Sequence, residues 1–214
     1  MVAWMVVLAG LVLGIGAAAT ASAGGGNSAN AELCQKNGWM NLLASDGTAF
    51  SNQGDCVSYG AQDGTLHPVF VFTAALNGEN QSPAIATPGT GTAKVTWNTL
   101  TNEMTVDVTF SGLTTPTTAA HIHCCVTPPG NTGVATTVPT FTGFPLGVTS
   151  GTYTHTFDMT SAASYNPAFV TANGGTTAGA EAALLAGLEA GQAYLNIHTT
   201  MFPGGEIRGF LAST

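Results

Sequence analysis

"AKVTWNTLTNEMTVDVTF", residues 93–110, decides the fold. Its second half alternates strictly. Met104, Val106, Val108 and Phe110 fall on one side, and Thr105, Asp107 and Thr109 on the other. That period of two belongs to a half-buried strand. "AKVTWN" (93–98) alternates in the same way, and "TLTN" between the two runs is a turn of hairpin length. The stretch therefore predicts an antiparallel hairpin with one face in a core.

The same pattern continues outward. "PVFVFTAAL" (68–76) is β-branched and aromatic, "AAHIHCCV" (119–126) is a short strand, and "GTYTHTFDM" (151–159) alternates again. "QAYLNIHTT" (192–200) and "GEIRGFL" (205–211) flank "MFPG", a second hairpin turn. A single helix is expected over "TTAGAEAALLAGLEAG" (176–191), with Thr176 or Thr177 as N-cap and Gly191 as its stop. Short strands separated by turn signals, with no repeat along the chain, predict an all-β protein: an antiparallel β-sandwich with one short helix.

Composition narrows the function classes. The chain has 214 residues, 44% of them apolar, but only 7% charged. Lys36, Lys94 and Arg208 are its only basic side chains and the net charge is −8. Nucleic acid is excluded as a partner, since binding it requires a field of Lys and Arg. Anionic membrane surfaces are disfavoured for the same reason. A surface of Thr, Ser, Asn, Gln and Gly has the style of an exported protein.

The beginning of the chain agrees. "MVAWMVVLAGLVLGIGAAATASAGGG" is an apolar run ending in Ala21-Ser22-Ala23, an A-x-A cleavage pattern. Residues 1–23 are read as a signal peptide, residues 24–67 as a Cys-bracketed appendage with a linker, and residues 68–214 as the β domain. The protein is expected to be secreted, periplasmic or on the cell surface, with no membrane association beyond the export signal. In the appendage, "CQKNGWMNLLASDGTAFSNQGDCVSYG" (34–60) is expected to form turns or a short hairpin, with "AQDGTLH" (61–67) as the linker.

An exported chain can oxidise its cysteines, here Cys34, Cys56, Cys124 and Cys125. Cys34 with Cys56 is the simplest bridge and would stabilise by roughly 3 kcal/mol on the loop-entropy account. Cys124 and Cys125 are neighbours. Across a trans peptide their Cα atoms would sit about 3.8 Å apart, short of the roughly 4.4–6.8 Å usual for a disulfide. They are either a bridge that stiffens the corner before "TPPG" or two thiols open to a soft metal. An oxidising compartment favours the bridge.

The histidines are the chemical feature. On a strand, His121 and His123 project to one face with Cα atoms roughly 6.7 Å apart, and Ile122 projects to the other. If the strand continues, Cys125 joins the histidines. On "YLNIHT", Asn196 and His198 share a face opposite Leu195 and Ile197. Three imidazoles would suit copper or zinc, and a thiolate would favour Cu(I) or zinc. The candidate ligands are His121, His123, His198 and Cys125. The competing reading leaves the imidazoles satisfied by backbone carbonyls and a carboxylate, with no ion. His67 and His155 stand alone and read as structural or exposed. Glu206 and Arg208 share a strand face, and Arg208 is expected in a buried ion pair that fixes the last strand, with Gly204, Gly205 and Gly209 permitting close approach. The sequence contains no nucleophile elbow, phosphate loop, zinc-finger spacing or carboxylate pair at helical spacing.

"AAHIHCC", then "FTGFPLGVTSGTYTHTFDM", then "AGLEAGQAYLNIHTTMFPGGEIRGFL" resemble the CHRD domain, over residues 68–212. The resemblance implies an extracellular, immunoglobulin-like β-sandwich or barrel. In chordin-like proteins such domains accompany the binding of secreted signalling ligands, and bacterial members are mostly exported. The family brings no catalytic triad. The chain lacks the Cys-rich modules found beside these domains in chordin, so growth-factor binding does not follow. The resemblance implies a non-enzymatic extracellular module with a protein or matrix ligand. The histidines offer the alternative of a copper- or zinc-binding module. A superoxide dismutase-like enzyme ranks third, because a positive funnel for an anionic substrate is missing.

Overall fold

The structure is a computed structural model that describes residues 28–214. The proposed signal peptide, residues 1–23, lies outside the described residues.

The hairpin forms where the alternation places it. Strand β3 (Thr90–Asn98) pairs antiparallel with β4 (Glu103–Ser111), setting Val95 opposite Val106 and Trp97 opposite Met104. All four are fully buried. In the turn, Asn98 Oδ1 accepts from the Leu100 N–H at 2.9 Å, and Asn102 sits in the left-handed region that Asn tolerates. The other strands are β1 (Leu42–Leu43), β2 (His67–Asn77), β5 (Thr117–His123), β6 (Gly151–Asp158), β7 (Tyr194–Thr199), β8 (Ile207–Phe210) and β9 (Ala212–Ser213). The main order is β5-β7-β8-β2-β3-β4-β6, with β1 and β9 both pairing with β2, and every pairing is antiparallel. The expected all-β antiparallel architecture is built as one sheet curled into a half-barrel.

One apolar cluster fills it. Phe72 and Leu76 from β2, Ile122 from β5, and Leu195 and Ile197 from β7 join the buried face of the hairpin. Each large side chain fully removed from water contributes about 1.5–3 kcal/mol. The long connection from β5 to β6 spans the open side. The Phe141 N–H donates to Ala120 O on β5 at 3.0 Å, and its ring stacks on Tyr153 of β6 at 5.8 Å between centroids. A single aromatic thus links the two ends of the sheet.

The expected helix is present as α4 (Thr177–Glu189). The Thr176 side chain accepts from the Gly179 N–H at 3.1 Å, and Gly191, at φ 65°, ends the segment. Ala180, Leu184 and Leu188 point into the core. It is not the only helix. Helices α1 (Ser28–Cys34), α2 (Gln53–Ala61) and α3 (Pro167–Ala172) accompany it.

Two of these helices add to the reading of the appendage. A tight turn with an antiparallel Leu43–Ala49 bridge lies between α1 and α2, and the Cys34–Cys56 disulfide, whose Cα atoms are 5.9 Å apart, joins the two helices. The local reason is a cap: Asn52 Oδ1 accepts from the Asp55 N–H at 3.0 Å and starts α2. Cys34, Leu42, Cys56 and Leu66 make a separate small core with Trp39, Phe50, Val57 and Tyr59 against it. The expected linker is therefore short, since Leu66 is buried and His67 already belongs to β2. Among the described residues, no helix is long and apolar enough to cross a membrane.

Candidate metal centre

Strands β5, β7 and β8 pair with His121 opposite Asn196 and His123 opposite Tyr194. Asn196 in turn pairs with Arg208, and Tyr194 with Phe210. One face of this trio carries Ala120, Ile122, Leu195, Ile197 and Ile207, all fully buried in the core. The other face carries His121, His123, Tyr194, Asn196, His198, Arg208 and Phe210. Its histidines meet. Ring centroids are 5.2 Å apart for His121 and His198, and 6.0 Å for each of the other two pairs. One nitrogen from each ring lies within 4.8 Å of the other two. An ion bound by three imidazoles at about 2.0–2.1 Å would hold their nitrogens roughly 3.3–3.6 Å apart, so only a small inward turn of the rings is needed.

Each ring is oriented by a backbone carbonyl. His121 Nε2 faces Pro139 O at 2.6 Å, His123 Nδ1 faces Thr132 O at 2.9 Å, and His198 Nδ1 faces Pro203 O at 2.9 Å. A carbonyl oxygen only accepts, so each of these ring nitrogens carries the hydrogen. A neutral imidazole has one such hydrogen. The remaining nitrogens, His121 Nδ1, His123 Nε2 and His198 Nε2, are therefore bare lone pairs. His121 Nδ1 and His198 Nε2 approach to 3.4 Å with no hydrogen to share. Among the described residues, His123 Nε2 is the one buried side-chain polar atom without a hydrogen-bond partner.

The rings stay neutral. Burial pushes His121 and His123 down to about 4 despite the carbonyls, which favour the charged form. Burial also lowers His198. Neutral imidazole with its far nitrogen anchored is the form that binds transition metals.

Cys125 does not join the histidines. The strand ends at His123, and Cys125 is bonded to Cys124, with their Cα atoms 3.0 Å apart. A bridged sulfur is no thiolate, so the expectation of Cys125 as a ligand is overturned and that of a bridge between neighbours is met. The bridge lies on α4, where a Cβ built on Gly187 would fall 2.3 Å from one sulfur and 2.4 Å from the other.

The expected ion pair at Arg208 is also absent. Its guanidinium is buried, yet it donates to Asn80 O, Pro129 O, Gly130 O and Asn131 Oδ1, none of them a carboxylate. Glu206 is committed elsewhere: it accepts from the Thr87 and Thr199 hydroxyls and the Thr114 N–H. Burial would raise this carboxyl, but those donors outweigh it and hold it below the usual range. Arg208 and Glu206 are therefore two separate fastenings. Gly205 and Gly209 do permit close approach, to the Asn196 side chain and to Ala75 O, whereas Gly204 faces open space.

Sequence reasoning missed Tyr194 and the three carbonyl acceptors that orient the rings. Tyr194 stacks flat on His123, 4.7 Å between centroids and 6° between planes, and its hydroxyl bonds to Thr132 at 3.3 Å. The period of two through Tyr194, Asn196 and His198 could have found it. The carbonyls of Thr132, Pro139 and Pro203 leave no trace in side-chain chemistry. His155 sits apart on β6, half-buried between Tyr153 and Phe157.

A family model for the CHRD domain matches residues 72–211. No curated protein and no solved structure matches the chain.

Proposed function

The chain belongs to the CHRD domain family, and we propose that its domain is a non-enzymatic extracellular module that binds a copper or zinc ion through His121, His123 and His198. Family membership and two disulfides are compatible with an extracellular protein. One observation carries the metal reading. Three carbonyls fix the tautomers of three buried or half-buried imidazoles and leave one bare nitrogen on each, in a cluster where one nitrogen per ring lies within 4.8 Å of the other two and the bare His121 Nδ1 and His198 Nε2 are 3.4 Å apart. Histidines kept only for packing would have carbonyls and a carboxylate to satisfy them, yet among the described residues the cluster holds no carboxylate and His123 Nε2 has no partner. Here the cluster has acceptors and no donor, which a cation satisfies. Ligand binding by the rest of the surface, as in chordin-like relatives, has no comparable cluster of residues to support it.

Elemental analysis of the protein, purified without a His tag from the medium or periplasm of a metal-replete host, tests the proposal. The expected result is close to one copper or zinc per chain, lost in the double variant His121→Ala/His123→Ala and kept in His155→Ala. Metal-free protein that also fails to take up either ion in dialysis would overturn it.

A further inference from the structure

The three imidazoles leave both copper and zinc open, because nitrogen donors of this kind suit either. What surrounds them does not. The second partner of each ring is a neutral carbonyl, from Pro139, Thr132 and Pro203. Among the described residues, no carboxylate or thiolate belongs to the cluster. The carboxylate just before β8, Glu206, is not among the clustered groups, and three donors of its own hold it in place. The nearest formal charge in the stack is positive. The guanidinium of Arg208 lies over the Tyr194 ring at 4.6 Å, and Tyr194 lies on His123 at 4.7 Å. Arg208 is 1% exposed, and among the described residues its hydrogen-bond acceptors are all carbonyl and amide oxygens.

An ion entering this site thus meets neutral ligands and, one ring away, a buried cation that donates to no carboxylate. Desolvating an ion costs more as its charge rises, and its repulsion from Arg208 doubles between a monovalent and a divalent ion. Neither cost is offset by a negative ligand. Three nitrogen donors at the corners of a triangle are also a sufficient set for an ion that accepts low coordination. Building on the metal-binding reading above, we infer that the site holds monovalent copper, Cu(I), in preference to Cu(II) and Zn(II). Arg208 acts here as a positioning residue as well. It fastens the Asn80 backbone and the 129–131 loop, and that loop leads directly into Thr132, whose carbonyl aims His123.

The test uses the full mature chain. Anaerobic competition against the chromogenic chelator bicinchoninate gives the Cu(I) affinity, and parallel competitions give those for Cu(II) and Zn(II). The expected outcome is one Cu(I) per chain, bound at least about tenfold more tightly than Cu(II). That ratio corresponds to a copper couple displaced positively from the aqueous one by about 59 mV or more for each tenfold. Equimolar Zn(II) should not displace the ion, and His198→Gln should lose it. Cu(II) or Zn(II) bound as tightly as Cu(I), and lost in His198→Gln, would overturn the preference and leave the metal-binding reading standing. Retention of none of the three ions would overturn both.

Discussion

The two ends of the sheet treat the same kind of strand face in opposite ways. Across β2, β3, β4 and β6, the face away from the core aligns Thr73, Lys94, Asp107 and Thr154 in one row, and Val71, Thr96, Thr105 and Thr156 in the next. These groups meet water or each other, as in the Thr105–Thr156 hydroxyl pair at 2.8 Å. Across β5, β7 and β8, the corresponding face is roofed by the 129–139 loop and the 202–206 turn, whose carbonyls seize His121, His123, His198 and Arg208. Alternation is identical at the two ends. Only the covering differs, and it turns a solvated face into a dry site with fixed tautomers.

The sharpest way to break that contrast is to remove the roof's main fastening. Arg208→Met leaves four oxygens without their donor in a buried place. We expect a loss of about 3–5 kcal/mol, read as a lower urea midpoint with an unchanged slope. A loss near the value for an exposed residue would mean that the loop holds without it.

Acid should separate the ends next. His121 and His123 are about 4 in the folded chain, against the ordinary value of 6.5 when unfolded. Between those values the unfolded chain binds more protons, so stability rises with pH. The contribution is complete above about pH 6.5 and is lost as pH falls toward 4. For the metal-free protein the full shift would correspond to about 3 kcal/mol for each of the two histidines, and screening by residual solvent contact lowers the expected loss to about 2 kcal/mol each. Urea midpoints measured from pH 7 down to pH 4 check it, and a His121→Gln/His123→Gln variant should show a flatter dependence.

Gly187→Ala tests the seat of the Cys124–Cys125 bridge. The added methyl would meet two sulfurs that cannot rotate away, so we expect a destabilisation of about 1–3 kcal/mol. Thermal unfolding of the two proteins side by side is the measurement. At the open end, the Lys94–Asp107 pair at 3.3 Å is exposed. Lys94→Ala should change stability by no more than about 0.5 kcal/mol in a denaturant titration. A larger effect would show that the solvated face is less solvated than its threonines suggest.

What could be read in advance follows from the same contrast. Met104, Val106, Val108 and Phe110 declare their face by alternation, and so do the pairs His121 with His123 and Asn196 with His198. Local periodicity suffices for all of these. The helices of the appendage were hidden because α2 is short and its stability rests on the Asn52 cap and the disulfide to α1, not on an apolar stripe. The partners of Arg208 were hidden for another reason. They are oxygens 77 to 128 residues distant along the chain, and most are backbone. Opposite charge two residues away on the same strand suggested Glu206, but a carboxylate with three other donors has no need of it.

The carbonyls of Thr132, Pro139 and Pro203 carry one more consequence. Most protein sites must strip hydrogen ions from thiols or imidazolium rings before they can coordinate, so loading acidifies the surroundings. Here one nitrogen of each ring is already bare at neutral pH, each ring's one hydrogen being parked on a carbonyl. If the proposed site takes an ion, filling and emptying it near neutral pH would move no protons between the protein and its medium, and occupancy would not depend on pH there.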